Sequence, residues 1–195
     1  MIDIRRLKNR YYVMRHGQSL ANVRGIIVSS PENGLSGYGL SRTGRSQARQ
    51  AVDGFPDLDR HTLIYASDFL RTRETAQIAA GCLDTDTGIT FTPLLRERFF
   101  GDWELTPDKN YDRVWADDAR HPPVTSGNVE PVESVLERGI ACVAGIEEQH
   151  SDRTVLLVAH GDTLQILLTF FKGWSPHRHR ELPPLAVARI RAALA

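Results

Sequence analysis

The sequence predicts an α/β fold, and three observations carry that expectation. Two short apolar runs, Tyr11 to Met14 and Thr154 to Ala159, read as buried strands. Each run gives way to a histidine followed by glycine, at His16-Gly17 and His160-Gly161, and then to a helix-compatible segment. Further stretches between them carry the 3.6-residue apolar period of helices packed on a sheet. The chain has 195 residues, 41% of them hydrophobic, enough for one domain over 1–195 with a small cap inserted.

In order, Tyr11 to Met14 is the first strand and ends in Arg15, His16 and Gly17. The glycine permits a sharp turn, so Arg15 and His16 sit at a strand's C-terminal end, where open α/β sheets bind ligands. Gln18 to Val23 starts a short helix whose amides point back toward that end. Gly25 to Gly39, with four glycines, a proline and three serines, reads as a surface loop shaping access. Ser41 caps a helix running to about Val52.

Thr62 to Ser67 is a second buried strand. Leu70 to Leu83 follows as an amphipathic helix with Arg71 in its first turn, where a cation opposes the helix dipole. Such a mismatch marks a functional position, because an arginine beside free backbone amides binds an oxyanion. Arg73 is assigned to solvent. Gly88 to Glu97 reads as a third extended segment, closed by Glu97. Residues 102–126 form a polar excursion with six acids and three bases, a poor clamp for a polyanion. The stretch Val129 to His150 reads as a long helix, with Glu133 and Ser134 near its start. The strand Thr154 to Ala159 suits the centre of a parallel sheet. Asp162 to Lys172 is a helix stopped by Gly173, and Leu185 to Leu194 adds an edge strand or short helix. The HRHR run at 177–180 is read as solvated surface, with no acidic or cysteine ligand near enough to make it a metal site.

Composition excludes several functions. Lysine plus arginine and aspartate plus glutamate both total 24, so no global field favours nucleic acid or an anionic membrane. Cys82 and Cys142 stand alone, which suits two buried residues in a reducing cytosol. No apolar run approaches the ~20 residues that span a bilayer, and the N-terminus lacks a signal-peptide core. The expectation is a cytoplasmic protein with no metal and no cofactor.

Arg15, His16, Arg71, Glu97 and His160 therefore stand at strand ends or helix starts. Two arginines, two histidines and a carboxylate suit a tetrahedral dianion, with one histidine to attack and one acid to protonate a leaving group. That is phosphoryl transfer resting on positioning and fixed positive charge, with a small phosphorylated substrate.

The stretches RHGQSLAN, SDFLRTRETA, LLRERFFGDWE and VAHGD, with the weaker GLSRTGRSQA and VESVLER, resemble in content and order the histidine phosphatase superfamily, also called phosphoglycerate mutase-like. The resemblance spans residues 11 to 165. It implies a three-layer α/β/α sandwich around a mostly parallel sheet and a phosphohistidine on His16. It further implies that Arg15, Arg71 and His160 hold the phosphoryl group, that Asn22 lines the pocket and that Glu97 is the proton donor. Gly161 joins them as a candidate substrate contact. Two positions depart from the pattern: Gln18 stands where glutamate is common, and Leu105 where glycine is frequent. Glu104 and, more remotely, Glu133 stay open as alternative acids. Metal-independent hydrolysis of a phosphomonoester is the leading expectation; a phosphoglycerate-type mutase and a non-catalytic phospho-ligand sensor are the alternatives.

Overall fold

The computed structural model describes residues 3–120 and 127–194. Five strands form one sheet: β1 (Arg10–Arg15), β2 (Leu63–Ser67), β3 (Ile89–Thr92), β4 (Thr154–Ala159) and β5 (Ile190–Ala192), in the order β3-β2-β4-β1-β5. All neighbours are parallel except β5, which pairs antiparallel with β1 at the edge. The principal helices are α1 (Leu20–Arg24), α2 (Pro31–Gly34), α3 (Arg42–Val52), α4 (Leu70–Leu83), α5 (Tyr111–Asp118), α6 (Val132–Gln149) and α7 (Gly161–Phe171).

Strand side chains alternate between faces, and here both faces are covered. Tyr11, Val13, Val155 and Leu157 join Val143 and Ile146 of α6 and Leu164 and Leu167 of α7 in one core. Tyr12, Met14, Leu156 and Val158 join Ala48 and Val52 of α3 and Ala76 and Ala79 of α4 in the other. That alternation is the physical content of three layers. Every residue of β4 is buried, as a central parallel strand requires. The tail took the edge-strand form, through β5.

Two segments fold differently from the sequence expectation. The stretch 25–39 is no surface loop: Ile27, Val28, Ser29 and Ser30 are buried, and α2 sits within it. Its burial has a partner in the excursion, because Ile27 packs with Phe100, Val114 and Val129 against Trp103 and Tyr111 in a small core of its own. Backbone bonds from Leu105 N to Ile27 O (2.8 Å) and from Ile27 N to Thr106 O (2.9 Å) fasten the two together. Residues 121–126 of the excursion lie outside the described residues. The third extended segment ends early: Pro93 opens a short 3-10 turn, Thr92 caps it, and Glu97 lies beyond in irregular chain. Cys142 is buried as expected, while Cys82 is only partly so. Among the described residues no helix is long and apolar enough to cross a membrane.

Candidate active site

Because β1 and β4 are neighbours with Arg15 opposite Ala159, their two histidines leave the sheet side by side. The His16 amide continues the ladder to the Ala159 carbonyl (3.0 Å), and the two imidazole centroids lie 5.3 Å apart. The turn after His16 is possible only because two glycines meet there. A Cβ on Gly17 would lie 2.3 Å from the Gly44 carbonyl oxygen, and one on Gly44 would lie 2.0 Å from that of Gln18. The N-terminus of α3 thus packs directly on the turn, and Thr75 of α4 ties it down by accepting from the Gly17 amide at 3.2 Å.

The side chains converge in the dry interior. His16 is 3% exposed, His160 0%, Arg71 3% and Glu97 8%. The Gly17 carbonyl, 2.7 Å from His16 Nδ1, can only accept, so the proton sits on Nδ1 and Nε2 carries the lone pair. Arg71 Nε donates to that Nε2 (3.2 Å) and to His160 Nδ1 (3.2 Å). His160 therefore bears its proton on Nε2, which donates to Ser67 Oγ at 2.9 Å. Both imidazoles are held well below their ordinary pKa of 6.5: burial disfavours the cation first, and nearby Arg71 and Arg15 add to it.

Each arginine is anchored but keeps one buried guanidinium nitrogen unpartnered among the described residues. Arg71 Nη2 donates to the Val28 carbonyl (2.9 Å), while its Nη1 is buried with no partner among the described residues. Arg15 Nη1 reaches the Leu185 carbonyl (3.1 Å), and its buried Nε is likewise unpartnered. Gly161 lets Arg15 lie across the start of α7, since a Cβ there would come within 3.2 Å of the guanidinium. Arg73, assigned to solvent, is partly buried and turned toward the Leu35 carbonyl instead.

Among the described residues Glu97 presents only one of its two oxygens to the protein. Oε1 accepts from Arg98 N (3.1 Å), Thr163 N (3.3 Å) and Thr163 Oγ1 (3.1 Å). Its carboxyl is pushed above the ordinary value, by burial first and then by Asp162. The other two candidate acids are engaged elsewhere. Glu104 accepts from Ser29 N (2.7 Å), Ser29 Oγ (2.6 Å) and Asn33 Nδ2 (2.9 Å), bonds that outweigh its burial and lower its pKa. Glu133 pairs with His177 at 2.6 Å. Of the three, only Glu97 lines the cavity beside His16 and Arg71. Asn22 lines it too, although its Oδ1 is occupied by the Ser19 amide (3.0 Å) and hydroxyl (3.0 Å) in a capping box.

The HRHR run is solvated surface only in part: Arg178 and Arg180 are exposed, but the histidines are not. It forms a 3-10 turn, Pro176–Glu181, in which His179 is fully buried with Asp162 at 3.4 Å and Asp118 at 3.9 Å. Acidic groups are therefore close by, contrary to the sequence expectation, but both already pair with buried Arg98, at 3.3 Å and 2.6 Å. Among the described residues no three His, Cys, Asp or Glu side chains form a metal-holding group. Ser67, Thr163 and Tyr111 contact or line the candidate site and were missed by sequence reasoning. Only Ser67 carried a signal, as a small polar residue closing a strand.

Residues 11–192 match the family model described as the histidine phosphatase superfamily, branch 1. Over 178 residues the chain is 30% identical to glucosyl-3-phosphoglycerate phosphatase of Mycolicibacterium vanbaalenii, covering 84% of this chain and 74% of that one. It is 25% identical over 172 residues to the adenosylcobalamin/alpha-ribazole phosphatase of Escherichia coli, covering 84% and 79%. The solved structure of mycobacterial glucosyl-3-phosphoglycerate phosphatase Rv2419c complexed with VO3 superposes with a TM-score of 0.73 at 26% identity, covering 94% of this chain and 96% of that one.

Proposed function

The chain belongs to the histidine phosphatase superfamily, branch 1, and on that premise we propose that it hydrolyses a small phosphomonoester through a phosphohistidine on His16. The carrying observation is the tautomer lock: Nδ1 of His16 donates to the Gly17 carbonyl, so a neutral imidazole turns its Nε2 lone pair toward Arg71 and His160. Relatives that match along most of the chain and are named phosphatases support the same reading.

In the first step His16 Nε2 attacks phosphorus and the bond to the alcohol oxygen breaks. Glu97, protonated on Oε2 because Oε1 is filled by three donors, delivers that proton to the departing oxygen. The unpartnered nitrogens of Arg15 and Arg71 take up charge on the equatorial oxygens, and the desolvated setting strengthens both contacts. In the second step water attacks phosphorus, ionised Glu97 accepts its proton, the N–P bond breaks and orthophosphate leaves. The charge is supplied by guanidinium groups rather than by a metal. The two free thiols support a cytoplasmic setting for this reaction.

Alkaline quench within seconds of mixing with an aryl phosphate, followed by mass spectrometry, tests the proposal. An adduct of about 80 Da on His16 with steady phosphate release is expected. An adduct that persists without release belongs to a mutase, and absence of both leaves a demanding substrate or a sensor, which ligand binding then separates.

A further inference from the structure

The tail brings to the cavity a charge that the phosphoryl chemistry leaves unused. Outward from the phosphoryl nest opens a cavity of about 280 Å³, and Arg15, Asn22, Glu97 and Tyr111 line both spaces. Because Glu97 faces this common wall, an alcohol that receives its proton occupies the outer space. Arg180 stands on that wall.

Although exposed, Arg180 is rigidly held. Its guanidinium carbon lies 3.6 Å from the centroid of the Trp115 ring, and Trp115 in turn stacks on Tyr111 at 5.3 Å and 9°. The Trp115 indole donates to Asp162 Oδ1 at 2.9 Å, which fixes the stack from below. Arg180 Nη1 donates to Gln165 Oε1, and Gln165 is buried and tied through its own amide to the Leu182 carbonyl at 3.1 Å. A neutral amide and an aromatic plane thus restrain the cation, and it enters no ion pair among the described residues. Asp162 and Asp118, its acidic neighbours, are bound to Arg98, and exposed Asp112 acts only at longer range.

We infer that Arg180 is a subsite for a carboxylate carried by the alcohol portion of the substrate; this rests on the phosphatase reading of the same cavity. A guanidinium lying on an indole offers its N–H edge in a fixed plane, which matches the two oxygens of a carboxylate. Since the group is already ordered, binding it costs little side-chain entropy. Lys109 and Asp108 bring one charge of each sign to the same mouth, so one excess positive charge remains, suited to a monoanion rather than a second phosphoryl dianion. The volume lies at the small end of ligand pockets and favours a compact hydroxy acid as leaving group.

The test compares 3-phosphoglycerate with glycerol 3-phosphate, which differ by a carboxylate in place of a hydroxymethyl, on the wild type and on Arg180→Gln. The wild type is expected to favour the acid by about tenfold in kcat/KM, with Arg180→Gln losing that preference through KM and hydrolysing glycerol 3-phosphate within twofold of wild type. Equal loss on both esters, or no preference in the wild type, overturns the subsite. If the wild type hydrolyses neither, the aryl phosphate assay decides the phosphatase reading, and calorimetric binding of the same pair decides the subsite. Tighter binding of the acid that Arg180→Gln abolishes supports it; equal binding refutes it.

Discussion

Replacing Glu97 by glutamine separates proton donation from everything else the carboxyl does. Oε1 accepts three hydrogen bonds from Arg98 and Thr163, and a glutamine carbonyl takes the same three. The new amide stands where Oε2–H stood, so shape and donor capacity persist while the transferable proton is lost. Fold stability is therefore expected to change little. For an alkyl phosphate, whose alkoxide must be protonated as it leaves, loss of general acid catalysis slows phosphorylation of His16 by about 10²–10⁴-fold, or about 2.7–5.4 kcal/mol. With 4-nitrophenyl phosphate the leaving group needs no proton, so loading proceeds within about tenfold of wild type. Stopped-flow release of nitrophenolate then shows a burst of one equivalent followed by slow turnover, because the second step still wants Glu97 as base. Rapid quench with the alkyl ester shows no burst. If Glu97→Gln loads the alkyl ester at the wild-type rate, Glu97 is not the acid; if both esters lose equally, the effect is structural.

The pH profile follows from the same two groups. His16 must be neutral and its pKa is depressed below 6.5, so kcat/KM rises through that lowered value as pH increases; Glu97 must be protonated and its pKa is raised above 4.5, so activity falls again through that raised value. In Glu97→Gln the alkaline limb is expected to vanish and the acidic limb to stay, read by titrating both proteins on one substrate. Gly161→Ala places a Cβ 3.2 Å from the Arg15 guanidinium, a flexible end that shifts aside. Its KM is expected to rise about tenfold with an unchanged melting temperature, and an unchanged KM would show that Arg15 is not a phosphoryl ligand. Gly44→Ala meets backbone at 2.0 Å and cannot be relieved that way, so it is expected to lose about 3 kcal/mol or more in denaturant unfolding. Asp118→Asn leaves buried Arg98 with Asp162, at 3.3 Å, as its one carboxylate partner among the described residues, at a cost of about 3 kcal/mol, and a thermal melt is expected to fall by about 6–12 °C.

Sequence by itself was enough for whatever depends on neighbours along the chain. The apolar runs mark β1 and β4, the 3.6-residue period delimits α4 at Leu70–Leu83, and the His-Gly junctions punctuate both strands. Arg71 in a helix's first turn was legible because it breaks a local electrostatic rule. Tertiary structure alone decided what depends on partners far away in the chain. Strand order set His16 beside His160, for nothing local says that β4 pairs with β1. The glycine- and serine-rich stretch 25–39 looked like solvent-facing loop, yet Ile27 is buried because Phe100 and Val114 arrive to cover it. HRHR looked like surface for the same reason: a histidine's burial is unreadable until Asp162, Asp118 and Arg98 are brought around it. So too with Glu97, one of several acids in its region, whose raised pKa comes from the desolvation that folding imposes and from a carboxylate 65 residues further along the chain.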